Sequence, residues 1–224
     1  MANIVLALKN QSTVVTDAEL VKAAAALQIQ LDRDWLPLWH STAKIVVLDR
    51  TQPVPAGAWP IYIMDTSDMS DALGYHYNVR GTPYGRVFAK TGIDNGYAWT
   101  ITLSHEIVEI MGNPLVNATV LRMNSANSAT LYMMETGDPV EADNLGYKID
   151  GIALSDFVTP AWFDVEATVR GTRYDFAGHC TAPFQILPGG YMSVMNLPGP
   201  LTWTSINARN LPETGTSDRN RFQR

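Results

Sequence analysis

A chain of 224 residues with 46% hydrophobic and 17% charged side chains can bury one sizeable core and is too apolar to stay disordered. Its net charge of -6, with no Lys/Arg run, excludes a nucleic-acid-binding face. The one basic cluster, Arg219, Arg221 and Arg224, falls near the end of the sequence. Cys180 is the single cysteine, which rules out an internal disulfide and reads as a small core residue. Met1 to Lys9 lacks the basic start and the length of a secretion signal, and no apolar run approaches the roughly 20 residues of a membrane span. A soluble protein with no membrane partner is expected.

Asn3 to Leu8 is a short apolar run and reads as a first strand. Thr16 and Glu19 form a capping box that opens a helix, with Leu20, Ala23, Ala24, Leu27 and Leu31 as its apolar stripe and an end near Asp34. Trp35, Leu38 and Trp39 around Pro37 read as packing residues. The β-branched run Ile45 to Val47 predicts a buried strand, and Ile61 to Met64 another, across a loop punctuated by Pro53, Pro55, Gly57 and Pro60. Arg86 to Lys90 is a further strand, and Thr91 to Gly96 is expected as the loop that leads into the central helix. Asn117 to Ala129, rich in Asn, Ser and Ala, reads as a loop, and Thr130 to Glu135 as a strand. Asp150-Gly151, between Tyr147 and Leu154, signals a hairpin turn. Gly189 to Val194 is the last strand candidate. The domain is expected over residues 1–197, followed by a polar tail over 198–224, with no internal repeat and no second domain.

Trp99 to Asn113 holds the chemistry. Gly112 followed by Asn113-Pro114 predicts the helix stop. A helix advances 100° per residue, so His105 and Glu109 project from one face a turn apart, and Glu106 leans in from the flank. Around them stand Ile101, Leu103, Ile107, Val108, Ile110 and Met111, which mark a helix buried on most sides. A core rarely holds an imidazole and two carboxylates without partners, and a divalent metal ion satisfies His105 and Glu109 together.

The pattern His-Glu-x-x-Glu resembles the zincin metallopeptidase signature His-Glu-x-x-His, with Glu109 in place of the second histidine. The resemblance implies that His105 and Glu109 bind metal and that Glu106 activates the attacking water. Zinc is the first expectation, and the added carboxylate keeps manganese and iron open. Glu135 is the expected third metal ligand. Asp138 either orients His105 or fixes the turn before Pro139, and any fourth ligand would come from His76, Asp138 or His179. His76, flanked by Tyr75 and Tyr77, either donates a hydrogen bond to a substrate carbonyl, replaces Glu135 as ligand, or is a hydrogen-bonded loop histidine. His179 is a pocket candidate; Glu141 and Asp143 read as solvated loop charges.

Leu73-Gly-Tyr-His76, Pro83-Tyr-Gly-Arg-Val-Phe88, Leu103-Ser-His-Glu-x-x-Glu109, Glu135-x-x-Asp-Pro-x-Glu141, Asp156-Phe-Val-x-Pro-x-Trp-Phe163 and Pro188-Gly-Gly-Tyr-x-Ser-Val194 are together similar to a family of bacterial and phage-encoded proteins with zincin-like motifs. That likeness, over roughly residues 73–195, implies an α/β (α+β) zincin-like domain in which a twisted mixed sheet packs on a central metal-binding helix. Two functions then compete. One is a metallopeptidase-like hydrolase with a peptide substrate. The other is a phage virion structural protein, partnered by other virion subunits in the host cytoplasm or the virion, with a structural or degenerate metal site; an inert binding module is a third.

Overall fold

Strand β1 (Ile4–Asn10) is the second strand of a five-stranded sheet in a computed structural model that describes residues 4–70 and 72–208. Parallel neighbours β2 (Ala43–Leu48) and β3 (Trp59–Met64) flank it, β5 (Thr82–Phe88) runs parallel to β3, and β4 (Gly74–Val79) closes the order β2-β1-β3-β5-β4 as an antiparallel outer strand. Leu6 and Leu8 of β1, Ile61 and Ile63 of β3 and Val87 of β5 are all buried in one cluster with two helices.

The first helix is α1 (Asp17–Ile29). Thr16 accepts from the Glu19 amide at 3.2 Å, and the Glu19 carboxylate accepts from the Thr16 amide at 2.8 Å, so the box at its start is closed in both directions. The helical path does not end near Asp34. It continues through a widened π-type run, Gln30–Trp35, into the short α2 (Leu36–Trp39). The reason is packing: Trp35 is fully buried and stacks on Trp39 at 5.0 Å, which keeps the chain helical past the polar residues. Residues 91–94, expected as loop, form the end of α3 (Ala89–Asp94).

The central helix α4 (Trp99–Gly112) packs across β4 and β5. No side-chain cap closes its start; the Ala98 amide instead donates to Asp143 at 3.1 Å, bringing a negative charge to the positive end of the helix. Its far end is held by Asn113, whose Oδ1 accepts from the Asn117 and Ala118 amides at 3.0 and 2.9 Å. Ser104 donates to Gln30 and accepts from the Ser155 amide, tying α4 to the first helical run and to the segment after the hairpin β8 (Tyr147–Ile149) and β9 (Ile152–Leu154). That hairpin turns at Asp150 and Gly151, both with positive φ, as the Asp-Gly pair predicts.

A second sheet, in the order β11-β10-β7-β6, is formed by β6 (Thr119–Ser125), β7 (Ser128–Met133), β10 (Tyr191–Leu197) and β11 (Thr204–Asn207), and it covers a separate cluster around Trp162, Tyr132 and Phe184. Two expectations change here. Most of the segment expected as a loop over 117–129 is β6 and its tight turn into β7, because pairing with β7 supplies the backbone bonds that its polar composition does not signal. The expected tail from 198 contains β11, which pairs with β10; residues 209–224 lie outside the described part. The chain is thus an α+β protein with mixed and antiparallel sheets. Among the described residues no helix is long and apolar enough to cross a membrane.

Candidate metal centre

Helix α4 delivers His105, Glu106 and Glu109 to the space beneath β4, all three buried. Strand alternation delivers the fourth residue. Gly74, His76 and Asn78 share the face of β4 that looks at α4, and Tyr75 and Tyr77 occupy the other, with ring centroids 5.6 Å apart. Gly74 has to be small: a Cβ there would lie 2.8 Å from Oε1 of Glu106. Beyond β7 the chain turns through Glu135-Thr136-Gly137-Asp138, and the turn is pinned to α4 by Thr136, which donates to the Val108 carbonyl at 3.0 Å. Gly137 lies against the His105 ring, where a Cβ would come within 2.5 Å of Nδ1.

These placements produce two donor groups. In the first, His105 Nε2 is 3.3 Å from Glu109 Oε1 and 3.4 Å from Asp138 Oδ1. In the second, His76 Nδ1 is 3.2 Å from Oε2 of both Glu106 and Glu109, and His76 Nε2 is 3.4 Å from Glu135 Oε2. His105, Glu109 and Asp138 each place a ligand atom within 4.8 Å of the others, and so do His76, Glu109 and Glu135. The expected trio His105, Glu109 and Glu135 is therefore divided. Glu135 faces His76, and Asp138 takes the place beside His105 because Gly137 turns the chain between them.

The spacings fit a metal ion. Ligands held at 2.0–2.1 Å around one tetrahedral ion stand about 3.3–3.4 Å from each other. Charge-assisted hydrogen bonds are shorter, about 2.7–2.9 Å. The Arg33–Asp34 pair of this chain, at 2.6 Å, is of that second kind. An imidazole with two carboxylates suits zinc and tolerates manganese or iron.

The same negative field acts on the imidazoles. Burial lowers the pKa of His76, but Glu135 and the hydrogen bonds to Glu106 and Glu109 outweigh it and raise it to about 10. Burial opposes a raised pKa at His105 too, and Glu109 and Asp138 overcome it. A ligating imidazole must be neutral, so a cation and a proton compete for these nitrogens.

Beside the first group lies a cleft of about 390 Å³, counted out to open solvent, lined by Leu73, Gly74, Ile101, Thr102, His105, Glu106, Glu141 and Asp143. Glu141 and Asp143, expected as solvated loop charges, thus form an acidic wall of the cleft. His76 is absent from that lining and its side chain is fully buried, so its position is among carboxylates rather than against a substrate carbonyl. His179 stands apart, near Asp156 and Asp175, with Nε2 3.2 Å from the Leu145 carbonyl. Asp138, expected to orient His105, to fix the turn or to be one candidate for a fourth ligand, stands where the third ligand was expected.

The chain matches no protein-family model, and no curated protein or solved structure is significantly similar to it.

Proposed function

We propose that this protein is a metal-dependent hydrolase of metallopeptidase-like, zincin-like design. A divalent ion, zinc first, is held by His105 Nε2, Glu109 Oε1 and Asp138 Oδ1. The observation that carries the reading is the 3.3 and 3.4 Å spacing of those donors beside a cleft that Glu106 lines. Bound there, the ion supplies Lewis acidity that polarises a carbonyl and makes water a better nucleophile near neutral pH.

The chain's own residues do the rest. Glu106, adjacent to His105 and at the cleft wall, takes the proton of the attacking water and passes it to the leaving amine. His76 Nδ1–H donates to Glu106 Oε2 at 3.2 Å and fixes that carboxylate, while Gly74 leaves room for its other oxygen. A peptide substrate is supported by β4: Leu73 and Gly74 line the cleft at the start of a strand whose outer edge pairs with no other strand among the described residues and can pair with an extended chain. Glu141 and Asp143 would favour a basic group beside the scissile bond.

A second reading, a structural ion in a virion protein, is favoured by depth: the side chains of His105, Glu109 and Asp138 are only 8%, 0% and 1% exposed. One experiment separates the two. Zinc-loaded protein and Glu106→Gln are compared for metal content and for cleavage of a quenched fluorescent peptide library. Hydrolysis lost in Glu106→Gln with zinc retained supports the hydrolase. Zinc bound with no hydrolysis by either protein refutes it in favour of the structural ion.

A further inference from the structure

The second donor group is the feature that a single-ion site leaves unused. His76, Glu109 and Glu135 come from β4, α4 and the turn after β7, and all three are buried. His76 Nε2 stands 3.4 Å from Glu135 Oε2, the edge of a metal coordination shell, and each of the three residues places a ligand atom within 4.8 Å of the other two. Glu109 belongs to both groups through different atoms. Its Oε1 faces His105 and its Oε2 faces His76.

The donor types point the same way. Glu106, Glu109, Glu135 and Asp138 bring four carboxylates into one buried pocket with two imidazoles. An ion at His105, Glu109 and Asp138 uses one of the two imidazoles, and the other, with Glu135, offers a second set of the same donor types.

We infer that the pocket takes two divalent transition-metal ions bridged by the Glu109 carboxylate, the second held by His76, Glu109 and Glu135. The inference rests on the first ion at His105, Glu109 and Asp138. His76 ligates through Nε2, the nitrogen nearer Glu135, and its Nδ1–H remains the donor to Glu106, the arrangement in which a metal-bound imidazole is oriented by a carboxylate on its other nitrogen. Carboxylate-bridged ions in such sites stand about 3.5–4 Å apart. The donor set, one imidazole with carboxylates, accepts zinc or manganese.

The test uses the full chain, stripped of metal and refilled separately with zinc and with manganese. Elemental analysis should give about two zinc ions per chain. The manganese form should show an exchange-coupled paramagnetic resonance signal in place of the six-line pattern of isolated ions. Glu135→Gln should fall to about one ion per chain and regain the six-line signal. One ion per chain in the parent, unchanged in Glu135→Gln, overturns the second site and leaves the first standing. No bound ion in the parent overturns both. Two ions without magnetic coupling overturn the Glu109 bridge. Should Glu135→Gln fail to fold, the parent's stoichiometry and signal decide alone.

Discussion

Gly137→Ala probes the contact between His105 and the turn that carries Glu135 and Asp138. Gly137 has φ -94° and ψ -36°, a conformation open to any L-residue, so the substitution strains no backbone. Its effect is contact alone: the new methyl would lie 2.5 Å from Nδ1 and 2.8 Å from Cε1 of His105. Ordinary packing distance is about 3.5 Å, so ring and turn must separate by about 1 Å. Metal sites tolerate ligand displacements of about 0.2 Å. Zinc affinity should therefore fall by about 10- to 100-fold, or about 1.4–2.7 kcal/mol. Overpacking adds a destabilisation of about 1–3 kcal/mol in the metal-free protein. Gly85→Ala is the control, since its Cβ would press on Ile61 and Ile110 at 3.0 and 3.2 Å without touching the donors. The assay is competition for zinc against a chromophoric chelator, beside thermal melts with and without zinc. Unchanged zinc affinity in Gly137→Ala, with a lowered melting temperature, would refute His105 as a ligand.

Two further outcomes concern the scaffold. Asp156 and Asp175 are both fully buried, and burial first, then the hydrogen bond and charge of Asp175, push the Asp156 carboxyl up to about 9 against the opposing amides of Ala177 and Phe157. A carboxyl whose folded pKa is raised stabilises the fold fully at acid pH and loses that contribution as pH climbs toward the folded value. The urea midpoint of the parent should decline from about pH 4 to about pH 9, and Asp156→Asn should make the decline shallower; a flat parent profile contradicts the protonated pair. Asn113→Ala removes the acceptor of two backbone amides at a residue only 1% exposed, and denaturant unfolding should register a loss of about 2–4 kcal/mol. A loss below about 1 kcal/mol means that water replaces the side chain there.

What could be read in the sequence was what depends on near neighbours. The Thr16–Glu19 box, the turn at Asp150-Gly151 and the stop after Gly112 are all set within a few residues, and each appears where its local chemistry places it. The closeness of His105 and Glu109 follows from helical pitch alone. The failures came where distant partners decide. Strand β6 is polar and owes its form to β7; β11 owes its form to β10; the helical run past Asp34 owes its form to Trp35 packing on Trp39 and Phe157. The choice between Glu135 and Asp138 is of the same kind. They lie on either side of Thr136-Gly137, and which one meets His105 depends on the angle at which the turn leaves the second sheet. The sequence names His76 as a ligand candidate but not its partners, because which carboxylates it meets depends on how β4 lies across α4 and the turn after β7.

Cys180 stands alone, so this chain has no covalent means of fastening one part of its length to another. The candidate ligands offer a reversible one. An ion shared by Glu109 and Asp138 would close a loop of about 30 residues, and shortening the unfolded chain's freedom by that much is worth about 3–4 kcal/mol on the loop-closure scale. The enclosed loop contains the β6–β7 hairpin, so the clasp would lock the second sheet onto the helix beneath the first. Unlike a cystine, such a clasp answers to metal supply and acidity and is indifferent to redox poise. The protein could then be fastened equally well in a reducing or an oxidising medium, and a chelator would undo it.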